Sequence, residues 1–251
     1  PVAYHWTSLI LAAIAYSLQI YFDFSGYSDI AIGCAKCFGY DFLPNFNLPY
    51  ISRNITEFWR RWHLSLSTWL KEYLYIPLGG NRKGKARMYA NLLITMLLGG
   101  LWHGADWTFV AWGGMHGIAL CIDKLRSHKH DDVFIVKYIG TIITYLFVVF
   151  AWIFFRAENF SNAWQIIAGI LSMQQGIVQN FSWVYISIVI LSVASVLAVH
   201  KAKLDREDFV RGYYPTVNLN TVKGLSLFLI FLGLTVGLAY TGGSPFVYFQ
   251  F

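Results

Sequence analysis

The sequence predicts an all-α, polytopic transmembrane protein, and three observations predict it. Of 251 residues, 57% are hydrophobic and only 13% are charged, with a mean hydropathy of +0.49. A soluble domain carries about 25% charged residues, and half that share cannot coat a globular surface. Apolar runs recur along the chain, several of them near the ~20 residues that cross a bilayer core of about 30 Å. Basic residues gather in the segments between those runs. Together these exclude an ordinary cytosolic enzyme, a disordered chain and a collagen-like repeat. Three cysteines (Cys34, Cys37 and Cys121) are too few for a disulfide scaffold. The chain begins at Pro1 with neither Met nor a signal peptide, and we expect it to be part of something longer.

The apolar runs fall at 2–22, 90–103, 107–122, 138–155, 183–199 and 224–240. A further stretch, 30–39, either extends the first helix or begins another. The run 107–122 covers only about 24 Å at 1.5 Å per residue, which suggests a locally thinned bilayer or a helix enclosed by protein. Charge sets the orientation. Of 19 Lys and Arg, eight lie between Arg53 and Arg87, four between Lys124 and Lys137, and four between Lys201 and Arg211. These segments alternate with basic-poor ones at 104–106, at 156–182 and after Tyr240. The positive-inside rule places the basic segments in the cytoplasm and the closing SPFVYFQF outside. The net charge of +6 comes from these loops and points to no nucleic acid, since no recognition motif accompanies it.

Residues 54–76, NITEFWRRWHLSLSTWLKEYLYI, are neither a span nor an ordinary loop. Phe58, Trp62, Leu66, Trp69 and Tyr73 recur at helical spacing and predict one apolar face. Glu57 and Arg61 are four apart and can pair. The plain reading is an amphipathic helix lying in the interface, which leaves His63 on the same element unexplained. In the following YIPLGGNRKGKAR, Pro77 and the Gly79–Gly80 pair end the helix. Its basic cluster suits an anionic lipid or a phosphorylated ligand.

Seven histidines occur in this apolar chain. His128, His130 and His200 lie in or beside polar loops, and His5 sits near the start. His63, His103 and His116 are different, because an ionisable group at membrane depth is expensive and is a functional candidate by default. His103 ranks first: Gly99, Gly100 and Gly104 leave room for close approach, and Trp102 and Trp107 can wall a pocket. His116 reads as a hydrogen-bonding residue between helices. No close histidine pairs or acidic partners accompany these three, so no metal site is expected. Cys34 and Cys37 form a lone CxxC, read as small apolar filler.

The blocks FWRRWHLSLSTWLKEYLYIPLGGNRKG and NLLITMLLGGLWHGADWTFVAWGGMHG resemble the membrane-bound O-acyltransferases, and more closely the alginate O-acetyltransferase subgroup. YFDFSGYSDIAIG and SPFVYFQF match it too. The sibling D-alanyl transferases of teichoic acid share the WHxSLS and WHG blocks but are less similar at PLGGNRKG. The resemblance implies that residues 1–251 are the C-terminal part of one membrane domain of about twice this length. It implies a helical fold with a buried tunnel or funnel and short re-entrant or interfacial helices. Asp106, after WHGA, is acidic where the family pattern is neutral, which raises the question of a charge near the site.

The resemblance further implies a bacterial inner-membrane acetyltransferase with no tightly bound cofactor. Acetyl-CoA is the expected cytoplasmic donor. Expected partners are an exported alginate- or cellulose-like polysaccharide, an extracytoplasmic SGNH-type acyltransferase and membrane lipid. His103 of WHG matches the catalytic histidine, and His63 of RRWH its partner. We expect His103 to be the general base and His63 to hold the thioester carbonyl or orient the acceptor. Arg60, Arg61, Arg82 and Lys83 would receive the CoA phosphates, and Trp102 would line the substrate site. The alternatives are D-alanyl or other acyl transfer to a cell-wall polymer, a non-catalytic acetyl conduit and a scaffold for a polysaccharide synthase. Neither the conduit nor the scaffold needs His103.

Overall fold

The computed structural model describes residues 3–126, 133–179, 190 and 220–237. It is helical throughout, and among the described residues the only β feature is an isolated bridge between Tyr4 and Ile177. The helices are α1 (Trp6–Cys37), α2 (Ile55–Trp59), α3 (Leu64–Leu70), α4 (Lys85–His103), α5 (Trp107–Leu125), α6 (Phe134–Arg156), α7 (Phe160–Leu171) and α8 (Val222–Gly237). A 3-10 turn at Pro49–Ile51 precedes α2, and a π-helical turn at Lys71–Tyr75 follows α3. By length and composition, α1 and α6 are long and apolar enough to cross a membrane. The run 183–199 (apart from Ile190), the basic segment 201–211 and the closing SPFVYFQF lie outside the described residues.

The stretch 30–39 proves to be an extension of the first helix. At 32 residues, α1 is about 48 Å long, well beyond a bilayer core of about 30 Å. Its N-terminus is capped by His5, whose Nδ1 accepts the Thr7 backbone N–H at 3.3 Å. The helix around 107–122 is longer than its apolar run, because Asp106 caps it at one end and Asp123 and Lys124 extend it at the other. The basic-poor segment 156–182, expected as a plain connection, contains α7. Ala163 and Ile167 of α7 turn inward and pack with Ile153 of α6 beside Ala13 of α1. Asn159 caps this helix, accepting the Asn162 N–H at 2.9 Å.

Two helices crossing at glycines position the site. Helices α4 and α5 form an antiparallel hairpin around the short connection 104–106. A Cβ on Gly100 would run into the Phe109 carbonyl, and one on Gly113 into the Met96 carbonyl. A Cβ on Gly117 would lie 3.2 Å from the Leu93 Cα. The small-residue rows thus let two backbones touch, the usual means of helix packing without a hydrophobic driving force. The glycines around His103 therefore serve helix contact: Gly99 faces the Leu70 side chain and Gly104 faces the Phe109 ring.

Residues 54–76 do not form one surface helix. They make a hairpin that runs along α5 and returns along α4. The Thr56 N–H donates to Asp123 Oδ2 at 3.2 Å, near the C-terminal end of α5. The Trp59 indole N–H reaches His116 Nδ1 at 3.2 Å, seven residues or about 10 Å further along α5. Trp62 packs on Trp152 with ring centroids 5.1 Å apart. Beyond this apex, Leu70 lies against Gly99, and the Asn91 amide donates to the Gly80 carbonyl at 2.9 Å. The chain then climbs α4 back to His103. The expected single apolar face breaks at His63, whose backbone is left-handed (φ 43°). Phe58, Trp62 and Leu66 are buried, whereas Trp69 and Tyr73 are exposed. Gly79, Gly80 and Gly84 take positive φ in the turn after it, as the helix-breaking reading requires.

Candidate active site

His63 owes its position to local chain geometry. Asn54 starts α2 by accepting the Glu57 N–H at 2.8 Å. Arg61 folds back onto Glu57 (2.7 Å), as their spacing predicted. The segment 45–47 then clamps the apex: the Asn47 N–H donates to the Arg61 carbonyl and the Leu64 N–H to the Asn45 carbonyl, both at 2.9 Å. A left-handed backbone at a non-glycine residue costs on the order of 1–3 kcal/mol and persists only where its surroundings hold it. Here those surroundings are Asn45, Phe24 and Trp62. The His63 ring stands edge-on to Phe24 at 4.6 Å.

His103 ends α4, and both His63 and His103 are about 8% exposed. His103 lies near enough to His63 for its charge to act on the His63 imidazole. His103 is enclosed by Trp112 (5.3 Å), Phe155 (5.2 Å) and Trp102 (5.0 Å). Trp112 stacks on Trp152, which in turn meets Trp62, the residue before His63. One continuous aromatic body therefore reaches from His103 to Trp62, the residue before His63. Such a low-dielectric wall strengthens every charge interaction it encloses. His116 borders the same body, fully buried, with Trp112 at 4.9 Å and Phe58 at 6.0 Å. Its Nδ1 is taken by Trp59, which makes it the interhelical hydrogen-bonding residue its sequence context suggested.

The cations and tryptophans separate into groups. Arg60 is exposed at the apex and lines a cavity of about 600 Å³ together with Phe24, Ser28, Asn45, Ser65 and Thr68. Arg61 is engaged by Glu57 and donates to the Asn47 carbonyl at 3.1 Å. Arg82 and Lys83 are exposed in the turn leading into α4 and do not line that cavity. Arg60 and Arg61 thus lie at the apex after α2, apart from Arg82 and Lys83 in the turn before α4. Trp102 stays by His103 but is 62% exposed, and Trp107 is 76% exposed. Asp106 answers the question of a charge near the site: its carboxylate caps α5, accepting the Thr108 N–H at 2.8 Å.

Sequence reading missed Asn45, Ser65 and Asp123. Asn45 and Ser65 bond to each other and to the His63 turn. Asp123, buried, ties α5 to α2. Asp123 carried a signal, an acidic residue near the end of an apolar run. Asn45 and Ser65 carried none, because the bond that ties them together spans twenty residues.

Residues 1–194 match the model of the membrane-bound O-acyltransferase family, and the chain belongs to that family. It is 40% identical over 272 aligned residues to the probable alginate O-acetylase of Azotobacter vinelandii, covering 96% of this chain and 54% of that protein. It is 52% identical over 162 residues to the probable alginate O-acetylase of Pseudomonas aeruginosa, covering 64% of this chain and 31% of the relative. Over 165 residues it is 47% identical to the peptidoglycan O-acetyltransferase of Helicobacter pylori, covering 65% and 31%. The chain spans about half the length of the first of these relatives.

Proposed function

We propose that this protein transfers acetyl groups from cytoplasmic acetyl-CoA towards an exported, alginate- or cellulose-like polysaccharide, with His103 and His63 carrying the chemistry. The observation that carries this reading is the pairing itself. A re-entrant hairpin brings the histidine of RRWH into electrostatic reach of the histidine of LWHG, inside one aromatic enclosure. The names of the alginate and peptidoglycan relatives support O-acetylation of a polymer outside the cytoplasm.

His103 acts as general base. The acceptor hydroxyl loses its proton to the imidazole as its oxygen bonds to the acetyl carbon. The C–S bond then breaks, and the CoA thiolate takes that proton back. A neutral imidazole can take the proton from the acceptor hydroxyl and return it to the leaving thiolate. Arg60, at the cavity, meets donor phosphates as a charge-assisted hydrogen-bonding partner, and Arg82 and Lys83 attract the anionic donor at the entrance. Trp102 flanks the acyl group beside His103. The fold is a polytopic bacterial inner-membrane domain with a tunnel joining the two faces, and the acetyl group passes to the polysaccharide with the help of an extracytoplasmic SGNH-type acyltransferase.

The test is transfer of radiolabelled acetyl from acetyl-CoA in membranes carrying the full-length protein. His103→Ala should lower the rate by about 10²–10⁴-fold, the usual cost of a lost general base, at normal membrane levels. A wild-type rate in that variant favours the conduit and removes this mechanism.

A further inference from the structure

The turn that carries His63 is held by polar groups whose proton positions follow one from another. The Ser65 backbone N–H donates to Asn45 Oδ1 at 3.2 Å, so the oxygen of the Asn45 amide faces Ser65. The Asn45 amide nitrogen correspondingly donates to Ser28 Oγ on α1, at 3.3 Å. Ser65 Oγ lies 2.6 Å from the same Oδ1. An amide oxygen has no proton to give, so the single hydroxyl proton of Ser65 goes to Asn45. Towards its other neighbour, Ser65 Oγ then offers only lone pairs. That neighbour is His63 Nδ1, 3.3 Å away, and two lone pairs cannot bond to each other. Nδ1 is therefore the protonated nitrogen, an assignment made from the network. The neutral imidazole carries its lone pair at Nε2, away from Ser65.

We propose that Asn45 and Ser65 are positioning residues for acyl transfer, holding His63 in the tautomer that presents a proton-accepting nitrogen to the reaction. This rests on the acyl-transfer reading above. It decides between the two roles expected for His63, because a neutral ring with a bare Nε2 cannot donate to a thioester carbonyl. It can accept. When His103 takes the acceptor's proton, the new imidazolium carries a second N–H, and a lone pair on the neighbouring imidazole stabilises it. The carboxylate of a catalytic triad does this for its histidine. When the C–S bond breaks, the thiolate removes the proton from His103, and both rings are neutral again.

The same Asn45 accounts for the strained backbone. Its carbonyl accepts the Leu64 N–H and its side chain takes both donors of Ser65. Orientation and tautomer of His63 thus come from one residue, itself anchored to α1 through Ser28. Ser28, Asn45 and Ser65 all line the cavity that Arg60 also lines.

The experiment uses the full-length protein in membranes. Ser65→Ala should lower kcat about 10–100-fold, the usual effect of removing a histidine's orienting partner, with KM for acetyl-CoA unchanged. Ser65→Thr and Asn45→Asp, which keep the hydroxyl and the accepting oxygen, should restore most of the rate. Independently of activity, solid-state ¹⁵N NMR of histidine-labelled wild type, with His63 assigned by its loss in His63→Gln, should show Nδ1 protonated and Nε2 bare. A protonated Nε2 overturns the proposal. So does a wild-type kcat in Ser65→Ala beside an inactive His103→Ala. A wild-type rate in His103→Ala instead overturns the acyl-transfer reading beneath it.

Discussion

Gly100 and Gly113 meet face to face where α4 crosses α5: a Cβ on either would lie 3.2 Å from the other's Cα. The contact is made three residues before His103, so it fixes the height at which that imidazole enters the aromatic body. Gly100→Ala or Gly113→Ala must push the helices apart. The expected cost is about 1–3 kcal/mol, as for other overpacked interiors, read as a lower melting temperature of the detergent-solubilised protein. Unchanged melting in both variants would show that the helices do not approach this closely.

Glu57 is the charged tie within the hairpin of residues 54–76. Its carboxylate holds the Arg53 and Arg61 side chains at 2.9 and 2.7 Å. Burial pushes the Glu57 carboxyl up, but the Arg53 backbone N–H and the two guanidinium groups outweigh it and hold the group below the usual carboxylate range. A carboxyl lowered on folding adds stability above its unfolded pKa and loses it as the pH falls through the folded value. Glu57→Gln should therefore melt below wild type at neutral pH, and the gap should close as the pH drops beneath 4.5. A gap that stays constant down to pH 3 counts against the ion pairs.

The three buried histidines should rank in a definite order. His103→Ala should abolish acetyl transfer. His63→Ala should cost less, since the base remains, and His63→Asn less again, because the amide oxygen can still accept a hydrogen bond. His116→Ala should act chiefly on stability, by leaving the Trp59 indole N–H without its acceptor. Rates and melting temperatures measured on the same membrane preparations decide it. A His63→Ala protein as inactive as His103→Ala refutes the ordering.

Orientation is testable at the two ends of the α4–α5 hairpin. Lys83, exposed ahead of α4, and Trp107, exposed at the start of α5, should lie on opposite sides of the membrane. With Cys34, Cys37 and Cys121 replaced, Lys83→Cys should be labelled only after the membrane is permeabilised, and Trp107→Cys in intact cells. Labelling of both from one side would overturn the positive-inside assignment.

Some of this was legible in the residues alone. Runs of apolar side chains without charge leave the backbone no partner but itself, so helices over 90–103, 107–122 and 138–155 follow from composition. His63 and His103 stood out because ionisable groups are rare in such runs, and the Glu57–Arg61 pair because a helix places neighbours four apart. Tertiary structure alone decided how 54–76 travels. Periodicity gave Phe58, Trp62, Leu66, Trp69 and Tyr73 one common face, but a single left-handed residue, His63, turns the second half away from the first. That conformation is stable only because Asn45, eighteen residues earlier, receives the Leu64 and Ser65 donors. The glycines before and after His103 read equally well as room for a ligand or for a helix, and only the position of α5, with Phe109 against Gly104, fills that space. Spacing along a chain reports which side chains share a local surface. What that surface meets depends on contacts between residues far apart in sequence, and those contacts set the enclosure of the two histidines.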